Sequence, residues 1–203
     1  GRIHWMRFER GVPQSGSGTP DAPLEVRGDT EASGTRITFL PDDTIFSTTT
    51  FSFERLANRL SQLAYLNKGL KIELVDERDE RRELFHAEGG IVEYVDHLNR
   101  KREALHPKPI AFSSLMAVSG PEGAEVEVDV DIAMQWTNGF HESIYCFANN
   151  VYNDEGGTHF TGLRSALTRT LNGHAKKENL LKNLKEPPTG DDIREGLTAV
   201  VSV

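Results

Sequence analysis

A single cysteine, Cys146, stands among 203 residues. That excludes an internal disulfide framework and any cysteine-based zinc site, and it fits a reducing compartment. No run of roughly 18 apolar residues occurs, so no transmembrane helix is expected. A basic-then-apolar leader is missing as well, so no secretory signal is expected. Positive charge is in deficit. Lys and Arg number 23 against 31 Asp and Glu, a net −8, which excludes a bulk polyanion binder. Catalytic signatures are also missing. There is no G-x-x-x-x-G-K-S/T phosphate loop, no H-E-x-x-H pair and no G-x-S-x-G elbow. From residue chemistry alone the chain has no self-sufficient catalytic or metal constellation.

What is present is a polar globular composition, 37% apolar and 27% charged, with mean hydropathy −0.47. Its length, at about 150 residues per domain, allows one or two domains. The chain opens on the strand-like run Arg2 to Phe8 and closes on the β-branched run Leu197 to Val203. Termini are normally loose surface segments. The expectation is an excised piece of a longer protein, or a processed chain whose terminal strands are natural.

Residues 3–8, 24–27 and 35–40 read as short strands, with a loop of turn residues from Gln14 to Pro23. Phe53, Leu56, Ala57, Leu60, Leu63 and Ala64 recur at helical spacing over 53–66. Ser52 suits the N-cap, and Gly69 the left-handed position after the helix. Residues 71–75 read as a strand, 77–82 as a solvated hairpin tip, and Gly89-Gly90 opens a second helix. From Glu125 to Ile132 acids alternate strictly with Val and Ile, a half-buried strand. Same-face carboxylates on a strand point outward in parallel, so a solvated face is expected rather than a metal site. Ser143–Phe147 reads as a strand that buries Cys146. Residues 162–172 read as a helix with Leu163, Ala166, Leu167 and Leu171 facing the core. Thr189 to Asp192 caps a short fourth helix, which Gly196 ends. Strands and helices mix without regular βαβ alternation, which makes the fold class α+β.

Charge is unevenly placed. Residues 109–163 hold eight acids and no Lys or Arg, whereas 156–186 hold six bases against two acids, a local +4. That segment is either an ordinary lysine-bearing surface helix or a local contact for a polyanion. Gly156-Gly157 is either a tight strand-to-helix turn or an anion cradle.

The ordered motifs resemble one family, the type IIA topoisomerases. They are Gly34-Thr35-Arg36-Ile37-Thr38-Phe39-Leu40-Pro41-Asp42, Leu63-Ala64-Tyr65-Leu66-Asn67-Lys68-Gly69, Glu88-Gly89-Gly90-Ile91 and Leu105-His106-Pro107. The most specific are Glu155-Gly156-Gly157-Thr158-His159 with Gly162-Leu163-Arg164-Ser165-Ala166-Leu167-Thr168-Arg169, then Gly190-Asp191-Asp192 through Val203. Gln135-Trp136-Thr137-Asn138-Gly139-Phe140 and Cys146-Phe147-Ala148-Asn149-Asn150 look more like the bacterial gyrase B type than its topoisomerase IV paralogue.

The resemblance implies that residues 1–46 are the last strands of a GHKL-type ATPase domain. It implies that 47–203 are a transducer domain, a mixed sheet backed by helices with a left-handed βαβ crossover. It places the catalytic glutamate, the magnesium-binding asparagine and the glycine-rich ATP lid upstream of Gly1. The lysine that reaches the γ-phosphate falls downstream of Val203. ATP and magnesium are then cofactors of the full-length protein, with none expected in this stretch, which should be inactive alone. Implied partners are the gyrase A subunit, a second B subunit and double-stranded DNA, in the bacterial cytoplasm with no membrane association. By resemblance Thr35 holds the adenine end of ATP and Ile37 lines that pocket. Without the family, Thr35 is a strand residue after a turn glycine. Arg164, placed in the first turn of the 162–172 helix, opposes the helix dipole. It either pairs with Asp154 or Glu155 or, by resemblance, faces DNA in the clamp. Arg169 lies about 140° further round the helix, which separates the two arginines onto different partners. A free-standing DNA-binding module using 156–186 is the reading from another class.

Overall fold

The computed structural model describes residues 1–14, 24–120, 123–182, 184 and 186–203. The expected 14–23 loop and Lys185 of the basic segment lie, wholly or nearly so, outside the described residues. The chain divides into two compact units, Gly1–Thr50 and Phe51–Val203.

In the first unit, β1 (Arg2–Trp5), β2 (Phe8–Glu9), β3 (Val12–Pro13) and β4 (Glu25–Asp29) form two small ladders, β1 with β4 and β2 with β3, both antiparallel. The Arg27 guanidinium lies 3.5 Å over the Trp5 ring, a cation–π contact. Two expectations are corrected here. The 3–8 strand is broken between Trp5 and Phe8, and residues 35–40 form no strand. Their alternation suits a sheet, but Ile37 and Leu40 are exposed, and a strand needs a neighbouring ladder for its backbone groups.

The second unit starts with α1 (Phe53–Leu66), β5 (Lys71–Asp76), β6 (Arg81–His86) and α2 (Ile91–Asn99). The Ser52 side chain accepts from the Arg55 N–H, so the expected cap and both helix bounds hold. Asn67 is the C-cap, and Gly69, at φ 82°, follows one place later than expected. Tyr65 of α1 stacks on Tyr94 of α2 with ring centroids 4.8 Å apart.

The rest comprises β7 (Ile110–Ser119), β8 (Glu125–Trp136), β9 (Ser143–Ala148), β10 (Val151–Tyr152), α3 (Thr158–Lys177), α4 (Gly190–Arg194) and β11 (Leu197–Ser202). Their strands make one sheet in the order β10-β9-β11-β8-β7. The closing run of the sequence is its middle strand, antiparallel to β8 and parallel to β9. Parallel neighbours require a crossover, and here it passes through α3 and α4. The sheet is mixed, with helices packed on it, and the class is α+β.

Period two decides the core. Leu197, Ala199 and Val201 join Ile132, Met134, Cys146, Leu163 and Leu167 in one cluster. Val200 turns to the other face, with Tyr94, Val95, Ala133 and Phe147. The sheet is therefore covered by α3 on one side and α2 on the other. Each Leu or Val side chain removed from water in this way contributes about 1.5–3 kcal/mol. The four acids of β8 behave as expected: Glu125, Glu127 and Asp129 are exposed and Asp131 half-buried. No group of acids, His or Cys among the described residues could hold a metal ion. None of the described helices is long and apolar enough to cross a membrane.

Candidate nucleic-acid interface

Polar chemistry concentrates where α3, α4 and the loop before β9 meet. The helix α3 starts at Thr158, four residues before the expected position, and runs to Lys177. Gly156, at φ 82°, turns the chain into it, in keeping with the turn reading of Gly156-Gly157. Arg164 is then the seventh residue of the helix and not part of its first turn, so the expected dipole penalty does not apply. The last turn carries His174, Lys176 and Lys177, where cations complement the dipole. Leu163 and Leu167 are buried, but Leu171 is 38% exposed. A helix of twenty residues is about 30 Å long and overruns the six-residue strand β9 beneath it. The buried stripe is shorter than periodicity indicated.

The Arg164 guanidinium does not pair with Asp154 or Glu155. Its Nε lies 3.3 Å from Glu142 Oε1, and its Nη2 lies 3.5 Å from Asp191 Oδ1. Phe160, one turn back on α3, sits under the guanidinium at 5.2 Å. The partners come from the loop before β9 and from α4, brought in by tertiary packing rather than by chain proximity.

Arg194 takes the same two carboxylates more tightly. Its Nε donates to Glu142 Oε2 at 3.1 Å, its Nη2 to Asp191 Oδ1 at 2.7 Å, and its Nη1 to Thr168 Oγ1 at 3.2 Å. The Thr168 hydroxyl donates in turn to the Arg164 carbonyl at 2.9 Å. The Arg194 side chain is 7% exposed, against 35% for Arg164. Asp191 is presented by a capping box in which Thr189 and Asp192 satisfy each other's backbone N–H groups. The Thr189 hydrogen bonds hold the Asp192 carboxyl below its usual pKa.

Above this cluster lies an open cavity of about 530 Å³, lined by Arg164, Ser165, Arg169 and Asn172 among others. Arg164 and Arg169 thus border one space. An open cavity on a helix flank is broad and arginine side chains are long, so their separation round the helix does not keep the two out of one space. Arg194 lies inside the Gly190 to Val203 motif, but nothing in the linear pattern gave it a partner, and nothing marked Glu142. The preceding capping motif was visible, but the carboxylate it presents was not.

A second network was also missed. The Thr198 hydroxyl donates to Asn99 Oδ1 at 2.7 Å, and Asn99 Nδ2 donates to Gln135 Oε1 at 2.9 Å. Arg102 donates to the Thr198 hydroxyl at 3.0 Å. Thr35 and Ile37 belong to the first unit. Both are exposed there, Ile37 by 81%.

Comparison with known proteins places these features in a family. A family profile described as DNA gyrase B matches residues 90–203. The DNA gyrase B protein of Halalkalibacterium halodurans is 47% identical over 205 aligned residues, covering 100% of this chain and 30% of that protein. That of Myxococcus xanthus is 49% identical over 186, covering 92% and 22%. The chain spans less than a third of either relative. The crystal structure of the 43K ATPase domain of Thermus thermophilus gyrase B, in complex with an aminocoumarin, superposes with TM-score 0.74 at 35% identity. It is covered to 51%, and this chain to 100%. A topoisomerase IV ATP-binding domain from Francisella tularensis, at 22% identity and TM-score 0.67, shares the fold.

Proposed function

The chain belongs to the DNA gyrase B family, and from that premise we propose that it relays ATP binding and hydrolysis to DNA strand passage and supercoiling. It acts within an ATP-dependent type IIA topoisomerase, beside a gyrase A subunit and a second B subunit, in the bacterial cytoplasm. Residues 1–46 close the GHKL ATPase domain and 47–203 form the transducer, with a left-handed crossover between β9 and β11. ATP acts as a ligand with higher affinity for the closed clamp and so shifts the population toward it.

The observation that carries the DNA side of this reading is the pairing of Arg164. Its guanidinium is held at 3.3 and 3.5 Å by carboxylates that Arg194 holds more closely, and it borders an open cavity with Arg169. A planar, permanently charged guanidinium suits a phosphate oxygen pair. On the nucleotide side, Thr35 holds the adenine end of ATP and Ile37 lines its pocket. The exposure of Ile37 supports this, since it leaves an apolar side chain open to a ligand. Among the described residues no group of acids, His or Cys could hold a metal ion, and phosphate chemistry is not assigned to them.

Replacing Arg164 by Gln in the full-length protein tests the reading. The ratio of DNA-stimulated to DNA-free ATP turnover should fall, and supercoiling with it, while the melting temperature holds. Unchanged stimulation, or loss of folding, rejects the DNA contact. Saturable, tight duplex binding by the isolated chain through 156–186 would favour a free-standing DNA-binding module instead.

A further inference from the structure

Four charged side chains meet at one point of the second unit: Arg164 on α3, Arg194 and Asp191 on α4, and Glu142 before β9. Their formal charges cancel, yet the pairing is unequal. Arg194 donates three hydrogen bonds of 2.7 to 3.2 Å. The Arg164 Nε and the Glu142 Oε1 that faces it are both buried, and neither has a hydrogen-bond partner. Glu142 is thus bonded to Arg194 through Oε2 and merely adjacent to Arg164 through Oε1.

We infer that Glu142 is a positioning residue that competes with DNA phosphate for Arg164, and that Arg194 retains the Glu142 carboxylate when phosphate replaces it. This rests on the proposed DNA contact of Arg164. Three points carry it. First, geometry: a 3.3 Å approach without hydrogen-bond alignment is the weaker of the two Glu142 pairings. An incoming phosphate breaks no well-formed bond of Arg164 on that side. Second, charge: an ion stripped of its only partner in a semi-buried site is costly. Arg194, 7% exposed, keeps Glu142 neutralised after the exchange. Third, connection: Arg194 also binds Thr168, whose hydroxyl holds the Arg164 carbonyl. It ends α4, shortly before the central strand β11 begins at Leu197. The exchange at Arg164 therefore acts on residues that set how α4 and β11 meet α3.

The test uses the full-length protein and reads the duplex concentration giving half-maximal stimulation of ATP turnover. Glu142→Gln keeps a hydrogen-bond acceptor for Arg194 and removes the competing charge. It should lower that concentration by about threefold, in line with the worth of a partly exposed ion pair. Asp191→Asn should shift it the same way. Glu127→Gln, on the exposed part of β8, removes an equal charge away from the cluster and should leave it in place. Arg194→Gln should raise it, because both carboxylates then close on Arg164, and adding Glu142→Gln should restore it. A purely structural Arg194 would instead give a defect that Glu142→Gln deepens. If Arg164→Gln abolishes stimulation but Glu142→Gln and Asp191→Asn leave the concentration unchanged or higher, the competition is overturned and the DNA contact stands. If Arg164→Gln changes nothing, the contact and the competition fall together.

Discussion

The Thr198 hydroxyl donates to Asn99 Oδ1 at 2.7 Å, joining the central strand β11 to the end of α2 across 99 residues of chain. Thr198 is fully buried and Asn99 is 5% exposed. A buried amide oxygen that loses its donor cannot turn to water. Thr198→Val, similar in shape, should therefore cost about 1–3 kcal/mol of unfolding free energy. Thr198→Ser, which keeps the hydroxyl, should recover the larger part. Urea unfolding followed by circular dichroism measures both. Equal losses in the two variants would assign the effect to packing.

Gly196 sits at φ 73°, between α4 and β11. A Cβ there would meet the carbonyl oxygens of Thr137 and Gly139 at 2.3 and 2.6 Å. Both are backbone atoms and cannot swing aside. Gly196→Ala should cost at least about 2 kcal/mol from the left-handed conformation and the overlap together. Gly173, within α3, has open space where its Cβ would stand. Gly173→Ala should stabilise by about 0.5–1 kcal/mol. Thermal melts of the two variants should move in opposite directions. A shared direction contradicts the backbone argument.

Cys146 is buried under α3, and desolvation pushes its thiol up to about 11. Thiolate is the reactive form. At about pH 8, near the ordinary thiol range, the folded protein should resist iodoacetamide, and labelling should appear with unfolding in denaturant. Rapid labelling of the native protein would show that the β9 core opens.

Hydrogen bonds from the Arg78 side chain, and from its backbone N–H, hold the Asp76 carboxyl down at about 2, below the ordinary 3.8. A carboxyl depressed by folding binds fewer protons folded than unfolded inside that window. Its contribution is complete above about 3.8 and is lost as pH falls toward 2. Asp76→Asn should flatten the stability profile between those limits and change little of its slope above them. A profile unchanged by the substitution would place the acid sensitivity elsewhere.

Legibility in the sequence followed locality. The helix α1 was readable to its ends, because its apolar positions and a serine cap all lie within one segment. The start of α3 was not. Thr158 to Thr161 carries one apolar residue, Phe160, which packs on the core only half-buried, so the first buried position is Leu163. The strand β7 was missed for a related reason. Every one of its residues is exposed, so an edge strand with little burial has no reason to alternate in hydrophobicity. Residues 35–40 erred in the opposite sense, with alternation but no strand. At the site, Arg164 drew attention through its motif. Glu142 did not, and the motif that contains Arg194 gave it no partner, since charge pairs across loops and helices leave no period. The capping box at Thr189 was local and was readable.

We propose that the α3 flank bearing Arg164 touches duplex DNA when the clamp is closed by nucleotide. The most direct measurement is photo-crosslinking in the reconstituted enzyme with a non-hydrolysable ATP analogue. A photoreactive side chain replaces Ser165, which is exposed and lines the same cavity as Arg164. A second variant carries it at Glu127 on the exposed part of β8. Nucleotide-dependent crosslinks to duplex DNA are expected from Ser165 and none from Glu127. Crosslinks from Glu127 with none from Ser165 would contradict it.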